Sequence, residues 1–182
     1  MKQNKGITIM ALVVTVVVLL ILAGISIEKG TNVITRSQLE NIKTDMMLVQ
    51  VKGKEYVENA NFELGTGYDK LTDESEKTKR LETAKSKLKG TEITDATNLD
   101  SNLGITAENF QTDNDNLIFY YELSNQDLAD IGISDVKSDE KNGKYIVKYD
   151  LKNVDVEVYN TKGFTNGDKS YYSLNEIENL NV

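Results

Sequence analysis

The chain has 182 residues and a formal charge of −8, and it contains no cysteine, histidine or proline. Those absences exclude disulfides, thiolate and imidazole chemistry, the usual zinc ligands, lipoprotein attachment and an LPxTG-type wall signal. The acidic balance argues against a broad nucleic-acid-binding surface, and the length suits one modest domain beyond any membrane segment.

Met1 to Gly6 form a short basic leader with Lys2 and Lys5. Ile7 to Ile27 then run without a charged residue until Glu28. An apolar stretch of this length predicts a membrane-spanning helix, and the preceding lysines predict an N-terminus held inside with the remainder outside. A cleaved secretory signal fits less well, because its apolar core is shorter and Gly24-Ile25-Ser26 is a poor cleavage site. A plain single-pass anchor fits the run but gives no role to the abrupt junction Lys5-Gly6-Ile7.

That junction, read through Thr8-Ile9-Met10-Ala11-Leu12-Val13-Val14-Thr15, resembles the processing signal of type IV pilins and type II secretion pseudopilins. Asn32-Val33-Ile34-Thr35-Arg36-Ser37 is similar to an element that follows the membrane helix in Gram-positive, Clostridia-type pilin-like proteins. The resemblance covers about the first 40 residues. It implies cleavage after Gly6 by a prepilin peptidase, N-methylation at Ile7, and residues 7–27 serving first as anchor and then as filament core. Ala11 stands where most major pilins carry a glutamate, and the helix-bending proline of many pilins is missing. Both departures fit a minor or initiating subunit, or the Gram-positive subgroup. Cleavage would remove Lys2 and Lys5, taking the side-chain charge from −8 to −10.

Beyond the apolar run, Leu39, Ile42, Met46 and Val49 recur at helical spacing, and Tyr56 and Ala60 extend the stripe. The expectation is an amphipathic continuation over 28–60, interrupted near Gly30 and weakened at Gly53. A helix over 7–60 would be about 80 Å long, more than the remaining chain can cover. Its first half therefore needs lipid or the helices of other subunits.

Residues 61–70 read as a loop holding Asn61, Gly65, Thr66, Gly67 and Asp69. A second helix is predicted from Asp73 to Lys89, ended by Gly90, with Leu81, Ala84 and Leu88 on one face. Its Lys77, Lys79, Arg80, Lys85, Lys87 and Lys89 alternate with Glu74, Glu76 and Glu82, as a solvated face does. Residues 91–116 carry no clear pattern. Leu117 to Leu123 predicts a buried strand, and Ser124 caps a short helix, Asn125 to Ile131, closed by Gly132. Lys144 to Asp150 and Val154 to Tyr159 predict a hairpin across Leu151-Lys152-Asn153. Gly163 to Lys169 reads as a polar loop, Tyr171 to Leu174 as a short strand, and Ser173 as the cap of a last helix, Leu174 to Leu180.

The predicted fold class is α+β. By resemblance it is pilin-like, with a long N-terminal helix, part membrane-spanning and part amphipathic, packed on an antiparallel sheet of about three or four strands. The expected divisions are the leader 1–6, the transmembrane or filament-core helix 7–27, the amphipathic continuation 28–60 and an acidic head 61–182.

No catalytic motif emerges, and the chain is not expected to be an enzyme. Glu122, beside Tyr120 and Tyr121, is the most noticeable carboxylate, and its ordinary reading is a solvent-facing strand residue. Asp113-Asn114-Asp115-Asn116 places oxygens as some calcium loops do, but it lacks the EF-hand glycine and distal glutamate, so a plain acidic turn is preferred. No cofactor is expected.

The function implied by the resemblance is a structural, pilin-like subunit of a pilus, secretion or competence filament. Its partners would be the membrane, a prepilin peptidase and other pilin-like subunits. It would sit in the cell membrane with the head outside, and in an extracellular filament after processing. The alternative from another class is a membrane-anchored exterior binding or sensor domain that forms no filament.

Overall fold

The computed structural model describes residues 35–99, 101–110 and 117–180. It has an α+β fold: a long helix and three shorter ones with a five-stranded antiparallel sheet. The leader, the apolar run 7–27 and the junction Lys5-Gly6-Ile7 lie outside the described residues, as does the first part of the expected continuation. Among the described residues no helix is long and apolar enough to cross a membrane.

The first helix, α1, occupies residues 35–64, about 45 Å at helical rise. The expected loop from residue 61 is corrected here. The helix continues through Leu64 and ends at Gly65, whose φ of 73° supplies the left-handed terminus that glycine adopts freely. Asn61 is thereby a helix residue, and its Nδ2 donates to the carbonyl of Leu151 at 2.7 Å.

The strands β1 (Thr91–Ile93), β2 (Ile118–Leu123), β3 (Tyr145–Asp150), β4 (Asp155–Asn166) and β5 (Lys169–Ser173) lie side by side in chain order. The sheet therefore has one strand more than the upper expectation. The addition is β1, whose three residues are too few to show alternation in sequence. It pairs Thr91 with Glu122 and Ile93 with Tyr120.

A second correction concerns residues 163–169. They are not a polar loop: β4 runs to Asn166, a two-residue turn follows, and β5 returns with Asn166 opposite Lys169. Their polarity comes from exposure at the tip of a hairpin, not from irregular backbone. A register shift between Tyr159 and Phe164 marks a bulge, and the buried Asn160 holds it. The Asn160 Oδ1 accepts from the backbone N–H groups of Lys162 and Gly163, and its Nδ2 donates to the carbonyl of Asn142.

Side chains alternate between the two faces of the sheet. Phe119, Tyr121 and Leu123 share a face with Tyr149, Val147 and Tyr145, and with Val156, Val158 and Asn160. The helix α1 seats on this face through the fully buried Met46, Val49, Val57 and Ala60. Gly53, expected to weaken the helix, is the point of closest approach. A Cβ there would lie 3.0 Å from Val156 Cγ1 and 3.6 Å from Tyr149 Cε1. Gln50 adds a bond from Nε2 to the carbonyl of Val156 at 3.0 Å.

The helix α2 (Glu74–Lys85) starts at Asp73, whose carboxylate accepts from the N–H groups of Ser75 and Glu76. The expected helical run to Lys89 ends early, with turns leading to Gly90. A Cβ on Gly90, at φ 106°, would lie 2.7 Å from the carbonyl oxygen of Glu122. On the other face of the sheet, Leu103, Ile105, Tyr120 and Ile146 form a second core. The 3-10 turns Ala96–Asn98, Ser101–Leu103 and Ala107–Phe110 belong to the segment that supplies it.

The last two helices start where their caps predict and end one and two residues early, at Asp130 and Glu178. Ser124 and Ser173 each close a capping box, with Asp127 on α3 (Asn125–Asp130) and with Glu176 on α4 (Leu174–Glu178).

Candidate assembly face and the sequence-marked residues

Projected at about 100° per residue, the buried residues of α1 from Met46 to Leu64 centre on one direction. Met47, Leu48, Val51 and Phe62 centre on nearly the opposite one. Among the described residues, these four are the large hydrophobic side chains left open to solvent, at 41%, 43%, 65% and 83% exposure. The sheet can cover only one side of a helix. On the uncovered side of α1, Met47, Leu48 and Val51 form a short apolar patch bordered by the exposed Glu40, Thr44, Glu55 and Glu58, and grouped exposed apolar side chains mark an interaction site more often than a single exposed residue does.

The four exposed side chains fall into two parts. Met47, Leu48 and Val51 fall within about one turn of each other. Phe62 stands further along, at the mouth of a cleft of about 280 Å³ lined also by Tyr56, Asn59, Glu63 and Lys87. Two of its lining residues form an ion pair, Lys87 Nζ with Glu63 at 3.1 Å.

This patch is the surface feature that sequence reading missed. The signal was present in the adjacent apolar pair Met46-Met47 and in Leu48-Val49, where one member of each pair must face away from the sheet. The helical spacing places Met46 and Val49 on the core stripe and gives Met47 and Leu48 no role.

Lys5, Gly6, Ile7 and Ala11, which carry the processing expectation, lie outside the described residues, as does the acidic run Asp113 to Asn116. Glu122 is a surface residue. It pairs with Lys144 at 3.3 Å, and Lys144 also approaches Glu140 at 3.6 Å. The hydrogen bond and the charge of Glu122 raise the Lys144 ammonium above its ordinary value. This is the chemistry of a satisfied ion pair on an open surface.

Most of the cations around α2 are also matched, Lys79 excepted. Arg80 meets Glu76 at 2.8 Å, Lys77 meets Glu74 at 3.5 Å and Lys85 meets Glu92 at 2.5 Å. Lys89 reaches Asp130 at 4.0 Å. Such alternation leaves little net field to attract a polyanion. Desolvation raises the carboxyl of Asp45 on α1 above its usual range. Among the described residues, no three Asp or Glu side chains gather as a metal site.

Comparison of the chain with protein-family models, with curated proteins and with solved structures finds no match in any of the three.

Proposed function

We propose that this chain is a pilin-like structural subunit, processed after Gly6 and assembled into a filament through its long N-terminal helix. The observation that carries the reading is the bare apolar stripe of Met47, Leu48 and Val51 on the side of α1 turned away from the sheet. Three exposed apolar side chains grouped within one turn call for a covering that the head, packed on the other side of α1, does not supply. The apolar run from Ile7 to Ile27 precedes the same helix in sequence and extends the demand for a partner. Lipid would satisfy that run in the precursor, and neighbouring subunits would satisfy both surfaces in the filament. The head would then be the exposed acidic exterior, and the processed chain would carry a side-chain charge of −10 once Lys2 and Lys5 are removed.

The test is the intact mass and N-terminal sequence of the protein from its own cells. A start at Ile7, carrying one added methyl group, is the expected result. A bulky residue in place of Gly6 should abolish that start, because the peptidase must bring the backbone at the junction into its active site. An uncut Met1 in the unaltered protein would sink the proposal and favour the membrane-anchored binding domain.

A further inference from the structure

Two Asn-Gly dipeptides mark turns of the head, Asn142-Gly143 and Asn166-Gly167, and the fold treats their asparagines in opposite ways. Asn142 is tied on all sides. Its Nδ2 donates to Oδ1 and Oδ2 of Asp139 at 3.0 and 3.1 Å, and its backbone N–H donates to the same Oδ1 at 2.8 Å. Its carbonyl accepts from Asn160 Nδ2 at 3.3 Å. The backbone N–H of Asn142, foremost among several bonds, holds the Asp139 carboxyl below its ordinary value, so this acceptor stays ionised.

Asn166 has none of this. It ends β4 at the hairpin tip, where Asn166, Gly167 and Asp168 are all exposed. Its side-chain amide makes no hydrogen bond to a described residue. Gly167, at φ 62°, has nothing within 4 Å of the place a Cβ would take.

We propose that Asn166 is a site of spontaneous backbone-assisted deamidation and that Asn142 is protected from the same reaction by Asp139. The Gly167 backbone nitrogen attacks Cγ of Asn166. The new N–C bond forms as the C–N bond to the side-chain amide breaks. The amide group takes the proton that Gly167 nitrogen gives up and leaves as ammonia. Water then opens the five-membered imide at either carbonyl, giving aspartate or isoaspartate. No oxidant, reductant or enzyme is required.

Cyclisation needs the side-chain amide carbon to swing onto the next backbone nitrogen. Asn142 must break its side-chain bonds to Asp139 to do so, and Asn166 has no side-chain bond to break. Either product adds a negative charge to the hairpin tip. Isoaspartate also inserts a carbon into the main chain of a two-residue turn, which is incompatible with the Asn166–Lys169 and Thr165–Ser170 pairing. This inference is independent of the filament reading.

The test is peptide mapping by mass spectrometry of the full chain in detergent, held at mildly alkaline pH. Conversion several-fold faster at Asn166 than at Asn142 is expected. Equal rates, or no conversion at Asn166, would overturn the proposal. In denaturant the two sites should convert at similar rates; a difference that persists there would mean that local sequence, not the fold, sets the preference. Asp139→Ala should bring Asn142 towards the rate of Asn166, and Asn166→Gln should remove the fast phase.

Discussion

At the scale of single residues, the fold records where side-chain identity and backbone conformation disagree. Val154, expected to open the second strand of the central hairpin, is instead the last residue of the β3–β4 turn, at φ 54°, a left-handed conformation that crowds a β-branched side chain. Such a residue costs on the order of 1–2 kcal/mol relative to one that adopts the region freely. Val154→Gly should therefore raise stability by about 1 kcal/mol, seen as a higher urea midpoint at unchanged slope; a lower midpoint would mean that the valine side chain outweighs its strain.

Gly53 is the converse case. In a solvent-exposed helix an alanine there would help by about 1 kcal/mol, but the Val156 methyl lies at the limit of contact. Gly53→Leu should destabilise by about 1–3 kcal/mol, because the helix must lift off the sheet. An unchanged midpoint would show that α1 does not sit as closely as described.

At the scale of elements, the capping boxes are both legible and consequential. Ser173 ends β5 and caps α4 in one residue, and Glu176 returns the bond to the backbone N–H groups of Tyr172 and Ser173. Partial burial works to raise the Glu176 carboxyl. The bonds from Tyr172 and Ser173 outweigh it, and the net pKa lies below the usual 4.5. A group whose folded pKa is depressed contributes stability that is present above its unfolded pKa and lost as pH falls through the folded value. The contribution of Glu176 should thus be complete at neutral pH and fade below about pH 4.5. Glu176→Gln should flatten this part of the acid dependence of the unfolding midpoint. Ser173→Ala should cost about 0.5–2 kcal/mol at neutral pH.

The same elements show what sequence reading could reach. Ser124, Asp73 and Ser173 announced their helices because a cap is a local bargain between one side chain and the next turn. The β4–β5 hairpin was hidden because Gly163, Thr165 and Asn166 are typical of loops. They form strands here only because Phe164 packs inward and Tyr171 lies opposite it.

At the scale of the whole molecule, the prediction concerns the stripe. Replacing Met47, Leu48 and Val51 together with glutamates should change head stability by no more than about 0.5 kcal/mol per site, since none is part of the core. Under the filament proposal the same variant should be processed normally after Gly6 yet fail to enter the filament fraction. Sedimentation of sheared filaments, with the N-terminus sequenced in parallel, separates the two outcomes. Normal assembly of the triple variant would remove the stripe from the interface.

The limits of sequence reading follow from the range of the interactions involved. Helix starts, the central hairpin and the apolar run from Ile7 to Ile27 depend on neighbours within a few residues, so composition and periodicity were enough to mark them. The charge balance that disfavours a polyanion-binding surface was likewise legible, because it is a sum over residues. Three features waited on tertiary structure. The short strand β1 exists only through its pairing with β2. Gly53 is a contact point rather than a weak point only because Val156 and Tyr149 lie beneath it. The apolar residues of α1 divide into a buried face and a bare stripe only once the sheet has taken one side. Periodicity shows that a helix has apolar faces, but it carries no information about how many of them the rest of the chain is large enough to cover.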